Sequence, residues 1–317
     1  MDSLILLACL AAAASAAAAA ADKAPGASRD RPTPAPLPPG AEYIGRTLDP
    51  FYTRHVLADG LLISGSSEVS HYALAEAAHL VGRLLAERPD VLKALIRKKV
   101  RVGVMAYNEM TTDIPEHRKL SPWYDKRARG LGGNPVTCGE ENLLAFRGDP
   151  YRGESILIHE FAHIIHGRGL AAIDPTFDKR LRELYGQAKK TGRFRGYGMT
   201  SFGEFWAEGV QSWFNCNRPG GLAVVAPGRK RPTSLDTRKQ MRAHMPELSA
   251  LLARSFGGNR WTYVPVTQRL DQPHLKGYDP AQAPVFKWPK KVLETFQRIE
   301  AEKARKRKAA AGKGNHR

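Results

Sequence analysis

A helix-rich fold of the mixed α/β (α+β) class, with a small mixed sheet, is predicted from three features of the sequence. Apolar residues recur at helical spacing from Glu68 to Glu87, and a second helical segment follows from Asp90 to Lys98. Residues 100–106 alternate and are rich in valine, which is typical of a strand. An almost wholly apolar run over 156–165 is typical of a buried helix, interrupted only by two histidines and a glutamate.

Shorter signals complete the predicted order of elements. Residues 142–146 form a brief apolar run and are predicted to be a strand just before the buried helix. Further helical patterns, amphipathic or charged, are predicted over 175–190, 235–255 and 292–310.

Residues 107–139 show no periodicity and are predicted to be one long loop. A loop of this length in a compact domain is usually a binding loop or a lid, although it can be a plain surface excursion. Its residues Asp113, Glu116 and His117 could line a cleft or bind a second ion.

The two ends of the chain differ in composition from its middle. Residues 1–21 contain an alanine-dominated apolar run that resembles a secretory signal peptide, although no positive charge precedes it; an uncleaved membrane anchor is the alternative. Residues 22–42 are rich in proline and alanine and are predicted to be a linker. The folded domain is therefore expected over 43–286, and secretion is the predicted localisation.

Much of the positive charge lies at the carboxyl end. The 317 residues carry a formal net charge of +18, and residues 287–317 hold eleven Lys/Arg against three Glu, which is +8. This basic helical or disordered tail could contact a polyanion. No aromatic-interleaved basic stretch or nucleic-acid motif is found, so specific nucleic-acid binding is not predicted.

Cysteine usage leaves two interpretations open. Cys9 lies in the first apolar run, so its removal with that run would leave Cys138 and Cys216 as a pair. An even pair in a secreted chain favours one disulfide, and two buried free thiols are the alternative.

The apolar run over 156–165 carries signals for both ends of a helix. Asp149 before Pro150 would cap its start, and glycines after His166 would end it. The helix is therefore expected to span 151–166.

Two histidines in that helix indicate a metal site. His159 and His163 lie four residues apart, on one face, and can bind one Zn²⁺, while Glu160 can reach a water on the metal. Three polar groups in an apolar helix would each cost about 1–3 kcal/mol without partners. A metal or a hydrogen-bond network is therefore favoured over a chance pattern.

A zinc site of this kind needs a third protein ligand. His166 lies at the expected helix end, and Glu183 lies in a charged helix with basic neighbours. Glu204 and Glu208 share one face of another helix, so Glu204 is predicted to bind zinc and Glu208 to accept a hydrogen bond from a ligand histidine. Ser201 and Glu204 also match a capping box, so two alternatives stay open: Glu204 as a simple cap, and Glu208 as the ligand.

The joint spacing of both motifs resembles a known family. It is similar to the catalytic domain of anthrax toxin lethal factor and its small secreted relatives, the Pro-Pro endopeptidases. The residues that carry the resemblance are His159-Glu160-Phe161-Ala162-His163, Tyr197 and Glu204-Phe205-Trp206-Ala207-Glu208. They cover about residues 142–214, so substrate specificity is not carried over.

The resemblance implies a zincin-like metallopeptidase fold with residues 142–146 as the edge strand beside the active-site cleft. It also implies zinc held by His159, His163 and Glu204, with Glu160 as general base and Tyr197 as a hydrogen-bond donor in the transition state. Together these features predict a secreted zinc endopeptidase acting on peptide or protein substrates. The alternatives are a non-catalytic binding protein on a peptidase fold and a basic matrix-binding or polyanion-binding protein.

Overall fold

A six-stranded mixed sheet is the frame of the protein. The computed structural model describes residues 34–36 and 41–314, with side chains as far as 309. The sheet has the order β1-β2-β3-β4-β6-β5; β3, β4 and β6 run parallel, and the other neighbours antiparallel. Its strands are β1 (Ala35–Pro36), β2 (Arg54–Ala58), β3 (Leu61–Gly65), β4 (Arg101–Met105), β5 (Gly130–Gly132) and β6 (Val136–Gly139). The predicted mixed α/β class is confirmed.

The predicted signal peptide and most of the predicted linker lie outside the described residues. Two described linker residues, Ala35 and Pro36, pair with His55 and Arg54 as strand β1. Within the described part of the chain, no helix is both long and apolar enough to cross a membrane.

Two helices connect β3 to β4, as the periodicity predicts. They are α1 (His71–Leu85) and α2 (Pro89–Arg97), and the Ser70 hydroxyl caps α1 by accepting a hydrogen bond from the Tyr72 amide at 3.2 Å. The apolar side of α1 is buried, and β3 and β4 are buried throughout. These long, strongly patterned elements form the first half of the core.

The prediction of one long loop over 107–139 is wrong. Beyond two 3₁₀ turns, the segment contains α3 (Tyr124–Arg127) and the strands β5 and β6. Three- and four-residue strands are too short to show alternation, and β5 begins and ends with glycine. A buried ion pair between Arg129 and Glu141, with nitrogen–oxygen distances of 2.6 and 2.9 Å, fixes β5 in place.

The strand predicted over 142–146 is also wrong, because residues Glu140–Leu143 form a short helix, α4. Glutamates in the first turn suit a helix start. The Asn142 side chain donates to the Glu154 carbonyl at 2.9 Å and accepts from the Ile156 amide at 2.8 Å. Asn142 thus ties α4 to the start of the next helix, a role that an apolar pattern cannot reveal.

The buried helix begins later than expected. It is α5 (Ile156–Ile164), capped by the Ser155 hydroxyl, and it continues as a π-helical turn over Ile165–Leu170. Asp149 instead accepts from the Tyr151 amide at 2.9 Å in a preceding turn. The predicted cap, Asp149, is therefore wrong, because the residue that caps α5 is Ser155, six residues later.

The remaining elements surround α5. A small sheet joins β7 (Phe194–Arg195), β8 (Ala223–Val224) and β9 (Thr233–Ser234). The helices are α6 (Ala171–Ile173), α7 (Phe177–Lys190), α8 (Phe202–Trp213), α9 (Arg238–His244), α10 (Pro246–Ser255) and α11 (Lys290–Gly314). The single helix predicted over 235–255 is two helices, since Pro246 starts the second.

Contacts between α8 and α5 bring the two predicted motifs together. The buried Trp206 indole donates to the Ala162 carbonyl at 2.9 Å, and α5 also contacts β5 and β6. Cys138 on β6 and Cys216 after α8 are both buried and form no disulfide, so the free-thiol interpretation holds in the structure.

Candidate metal centre

The side chains of His159 and His163 project from one face of α5 toward the first turn of α8. One Glu204 carboxylate oxygen lies 3.1 Å from His159 Nε2 and 3.6 Å from His163 Nε2. Possible ligand atoms of His159, Glu160 and His163 also lie within 4.8 Å of one another. Four of the predicted site residues therefore meet at one place.

The spacing of these atoms suits zinc. Ligand atoms in a tetrahedral zinc site lie about 2.0–2.1 Å from the metal and therefore about 3.3 Å from each other. The distances of 3.1 and 3.6 Å between the Glu204 oxygen and the two imidazole nitrogens bracket that value. Two imidazoles and one carboxylate would leave a fourth position for water.

The Glu204 carboxylate does not cap α8. The Ser201 hydroxyl accepts from the backbone amide of Glu204 at 3.1 Å, while the Glu204 side chain turns to the histidines. The Ser201 signal is therefore a real cap, but the carboxylate stays available as a ligand.

Gln211 sets the protonation of His159. Its amide nitrogen donates to the Ser155 carbonyl at 3.1 Å, which directs its oxygen to His159 Nδ1 at 2.9 Å. Nδ1 therefore carries a proton, and Nε2 faces Glu204 and His163, where it donates to the Glu204 carboxylate at 3.1 Å when protonated and can bind a metal when deprotonated. A histidine held in this way is ready to bind a metal.

The hydrogen bond to His159 that the sequence predicts for Glu208 is made by Gln211 instead. The nearest Glu208 oxygen lies 4.0 Å from His159 Nδ1, beyond hydrogen-bond distance. Gln211 lies three residues after Glu208, so it continues the same face of α8 by one turn. This three-residue spacing from Glu208 is the feature of the sequence that could have indicated Gln211 as the partner of His159.

We expect Gln211→Leu to weaken zinc binding about 10–100-fold, because His159 would lose its fixed orientation. Competition with a chromogenic chelator would measure the affinity. Ser212→Ala, a change at another buried position of α8, is the matched control and should leave the affinity unchanged. An unaltered affinity in Gln211→Leu would remove Gln211 from the centre.

The electrostatics of the centre favour a bound cation. Burial opposes charge on both Glu204 and His159, but their mutual hydrogen bond and neighbouring charges outweigh it. The pKa of Glu204 is therefore held well below its usual range, and the pKa of His159 is raised to about 9. The surrounding carboxylates thus hold positive charge at this point, whether a proton or a metal supplies it.

Burial also acts on Glu160. It raises the pKa of Glu160, although the two neighbouring histidines act in the opposite direction. A carboxylate with a raised pKa takes a proton from water more readily than an exposed one.

Strand β5 passes directly beside α5. A Cβ atom on Gly130 would lie 2.4 Å from Ile156 Cγ2, and one on Gly132 would lie 3.0 Å from His163 Cβ. Glycine at 130 is required for this approach, and a side chain at 132 would be crowded. Because β5 is the end strand of the sheet, the edge strand beside the centre is β5 instead of the predicted residues 142–146.

Tyr197 lines a cleft of ≈ 250 Å³ together with His159, Glu160 and Gly130. Its ring centroid is 6.4 Å from that of His159. Gly196, with φ of 101°, turns the chain there, and a Cβ atom would lie 2.4 Å from the Gly220 carbonyl oxygen.

The other candidate residues either have structural partners or are exposed. His166 Nε2 lies 2.6 Å from an Asp178 oxygen, and Glu183 is exposed on α7. Asp113 accepts from the Met110 amide at 2.7 Å. The neighbours Glu116 and His117 contact Arg101 and Thr137 respectively. The structure therefore does not gather these three loop residues into a second ion site.

Comparisons with known proteins assign no family. No family model matches the chain, and no curated protein or solved structure matches it. The resemblance to the lethal-factor family therefore rests on the motif residues, and the chemistry of the centre rests on its geometry.

Proposed function

We propose that the protein is a secreted zinc-dependent endopeptidase with a zincin-like fold. The observation that carries this proposal is the meeting of His159, His163 and Glu204 at distances that suit one zinc ion, with Glu160 beside them. The proposed fold is supported by an edge strand that lies against the helix of the two histidines. Secretion is supported by the apolar run within residues 1–21.

Each side chain has a role in peptide hydrolysis. Zinc held by His159, His163 and Glu204 would act as a Lewis acid and lower the pKa of a water to about 7. Glu160 would accept a proton from the attacking water and pass it to the departing amine. Burial raises the pKa of Tyr197, so its hydroxyl stays protonated and donates to the developing oxyanion.

The edge strand provides a place for the substrate backbone. Within the described residues, β5 pairs with β6 alone. An extended peptide added to β5 would pass beside Glu160, because a Cβ atom on Gly132 would lie 3.2 Å from its carboxylate oxygen. This arrangement suits an endopeptidase, since such a peptide can extend in both directions.

We expect Tyr197→Phe to lower kcat about a hundredfold with little change in KM or zinc content, because the lost donor acts mainly in the transition state. Steady-state kinetics on one peptide substrate, with metal analysis, would measure this. Tyr124→Phe, outside the cleft lining, is the control. Unchanged kcat in Tyr197→Phe would exclude the hydroxyl from the mechanism.

The proposal is tested by incubating the protein from Asp22 onward with a diverse peptide library beside its Glu160→Gln variant. Mass spectrometry would identify products, and metal analysis would count zinc. We expect one zinc per chain in both proteins and cleavage by the parent alone. Bound zinc without cleavage would favour a non-catalytic binding protein, and absence of zinc would overturn the metal centre.

A polyanion contact through α11 is a second, compatible proposal. Its first half packs on α3, where the Trp123 indole donates to a Glu300 oxygen at 2.7 Å. Residues 304–309 are exposed and include Arg305–Lys308. Salt-dependent retention on immobilised heparin, lost when the chain ends at Lys303, would support this contact.

A further inference from the structure

The cleft beside the proposed metal ligands is a single pocket with two buried glutamates in its lining. Glu154 and Glu208 line this pocket with side chains that are 4% and 1% exposed. Arg218, which also lines it, is 41% exposed at the side chain, and Arg127 is exposed. The positive groups therefore lie toward solvent and the negative groups toward the interior.

The Glu208 carboxylate is the buried acid of this lining without a geometric hydrogen bond, and its nearest charged neighbour is His159 at 4.0 Å. Neither of its carboxylate oxygens has a hydrogen bond within the described structure, and both are buried. Glu154, in contrast, pairs with Arg218 at 3.1 Å. The nearest imidazole nitrogen, His159 Nδ1, is 4.0 Å away and is bonded to Gln211.

A second acceptor without a partner lies beside Glu208. The Asn217 amide nitrogen donates to the Glu208 carbonyl at 3.1 Å and to the Ser212 hydroxyl at 2.9 Å, which leaves its oxygen buried and unpaired. A Cβ atom on Gly221 would lie 2.0 Å from a Glu208 carboxylate oxygen and 2.5 Å from the Asn217 oxygen. Glycine at this position thus leaves room for both acceptors.

The two buried Glu208 oxygens without donors are costly unless something supplies hydrogen bonds or positive charge. A lysine ammonium group supplies both, with three N–H donors and one charge. We propose that this pocket receives the side chain of a lysine next to the cleaved bond of the substrate, with Glu208 as its counter-charge. This inference rests on the proposed peptidase function.

Apolar surface and charge agree with this occupant. Tyr151 and Ile156, which line the same cleft of ≈ 250 Å³ as His159 and Glu160, offer apolar surface to the methylene groups of a lysine. The two arginines of the lining oppose it only weakly, because Arg218 is paired with Glu154 and Arg127 faces solvent.

Binding can be tested without cleavage. Calorimetry would compare Nα-acetyl-lysinamide with its norleucine counterpart on the zinc-loaded parent protein. We expect the lysine probe to bind at least about tenfold more tightly, and Glu208→Gln to remove that difference. Glu183→Gln, the same change at an exposed position, is the matched control and should preserve it.

Cleavage provides the second test, with the same peptide carrying lysine or norleucine beside the cleaved bond. We expect kcat/KM to favour lysine at least about tenfold in the parent and to lose this preference in Glu208→Gln, with zinc content unchanged. No preference in the parent, or an equal preference in Glu208→Gln, would overturn the pocket assignment. The comparison of the lysine and norleucine peptides on the parent protein tests the pocket assignment even if Glu208→Gln fails to fold.

The outcomes separate the two proposals. Selective lysine binding without cleavage of any peptide would support the pocket and overturn the peptidase function. Cleavage of peptides without a preference for lysine would support the peptidase function and overturn the lysine pocket. Removal of single residues from peptides with a free α-amine, abolished by acetylation, would show that the pocket binds the α-amine and would overturn the side-chain assignment.

Discussion

Replacing Glu160 with glutamine is expected to lower kcat about 10²–10⁴-fold, because the amide cannot accept the proton of the attacking water. Glutamine has nearly the same shape as glutamate. It should therefore keep the close packing of α5 against β5, where a Cβ atom on Gly130 would lie 3.1 Å from Glu160 Cγ. Zinc should stay bound, since the proposed ligands are His159, His163 and Glu204.

Single-turnover kinetics and metal analysis would measure both halves of this prediction. Glu183→Gln is the matched control, because it makes the same chemical change on the exposed side of α7. Loss of zinc in Glu160→Gln would mean that Glu160 belongs to the metal ligands. Full activity in Glu160→Gln would place the general base elsewhere.

The parts of the centre that lie within one helix could be predicted from the sequence. His159 and His163 share a face of α5 because residues four apart always do so in a helix. Joining them to Glu204 required the spacing of a second motif, since nothing local to α5 says which helix packs against it. The structure places Glu204 at the two imidazoles as that spacing predicts.

The contacts that depend on the exact placement of α8 could not be predicted. Glu208 and Gln211 lie three residues apart on one face, and a small rotation of α8 decides which of them reaches His159. The structure gives that contact to Gln211. Glu208 is left against Gly221 and Asn217, residues that follow α8 in the chain and carry no pattern of their own.

The fold shows the same division between strong and weak local signals. Helices α1 and α7 and strand β4 have enough residues to display periodicity, and their predicted positions are confirmed within a few residues. Strand β5 has only three residues. Its place depends on the buried Arg129–Glu141 pair and on glycines that allow contact with α5, both of which are tertiary effects.

Replacing Glu204 with alanine is expected to weaken zinc binding more than about a hundredfold, beyond the loss typical of a residue that only orients a ligand. The reason is geometric, since one Glu204 oxygen lies 3.1 and 3.6 Å from the two imidazole nitrogens. The side chain is 21% exposed, so the space left by its removal is open to water and the fold should persist. Zinc retained after dialysis, with competition against a chelator, would measure the effect.

Glu208→Gln is the decisive comparison for Glu204→Ala, because both glutamates remain candidates from the sequence motif. It should keep zinc, since its nearest carboxylate oxygen lies 4.0 Å from His159 Nδ1, the nitrogen that faces away from the centre. His163→Ala should lose zinc as Glu204→Ala does. If Glu208→Gln released zinc while Glu204→Ala kept it, Glu208 would be the third ligand, and α8 would have to rotate on α5 when the metal binds.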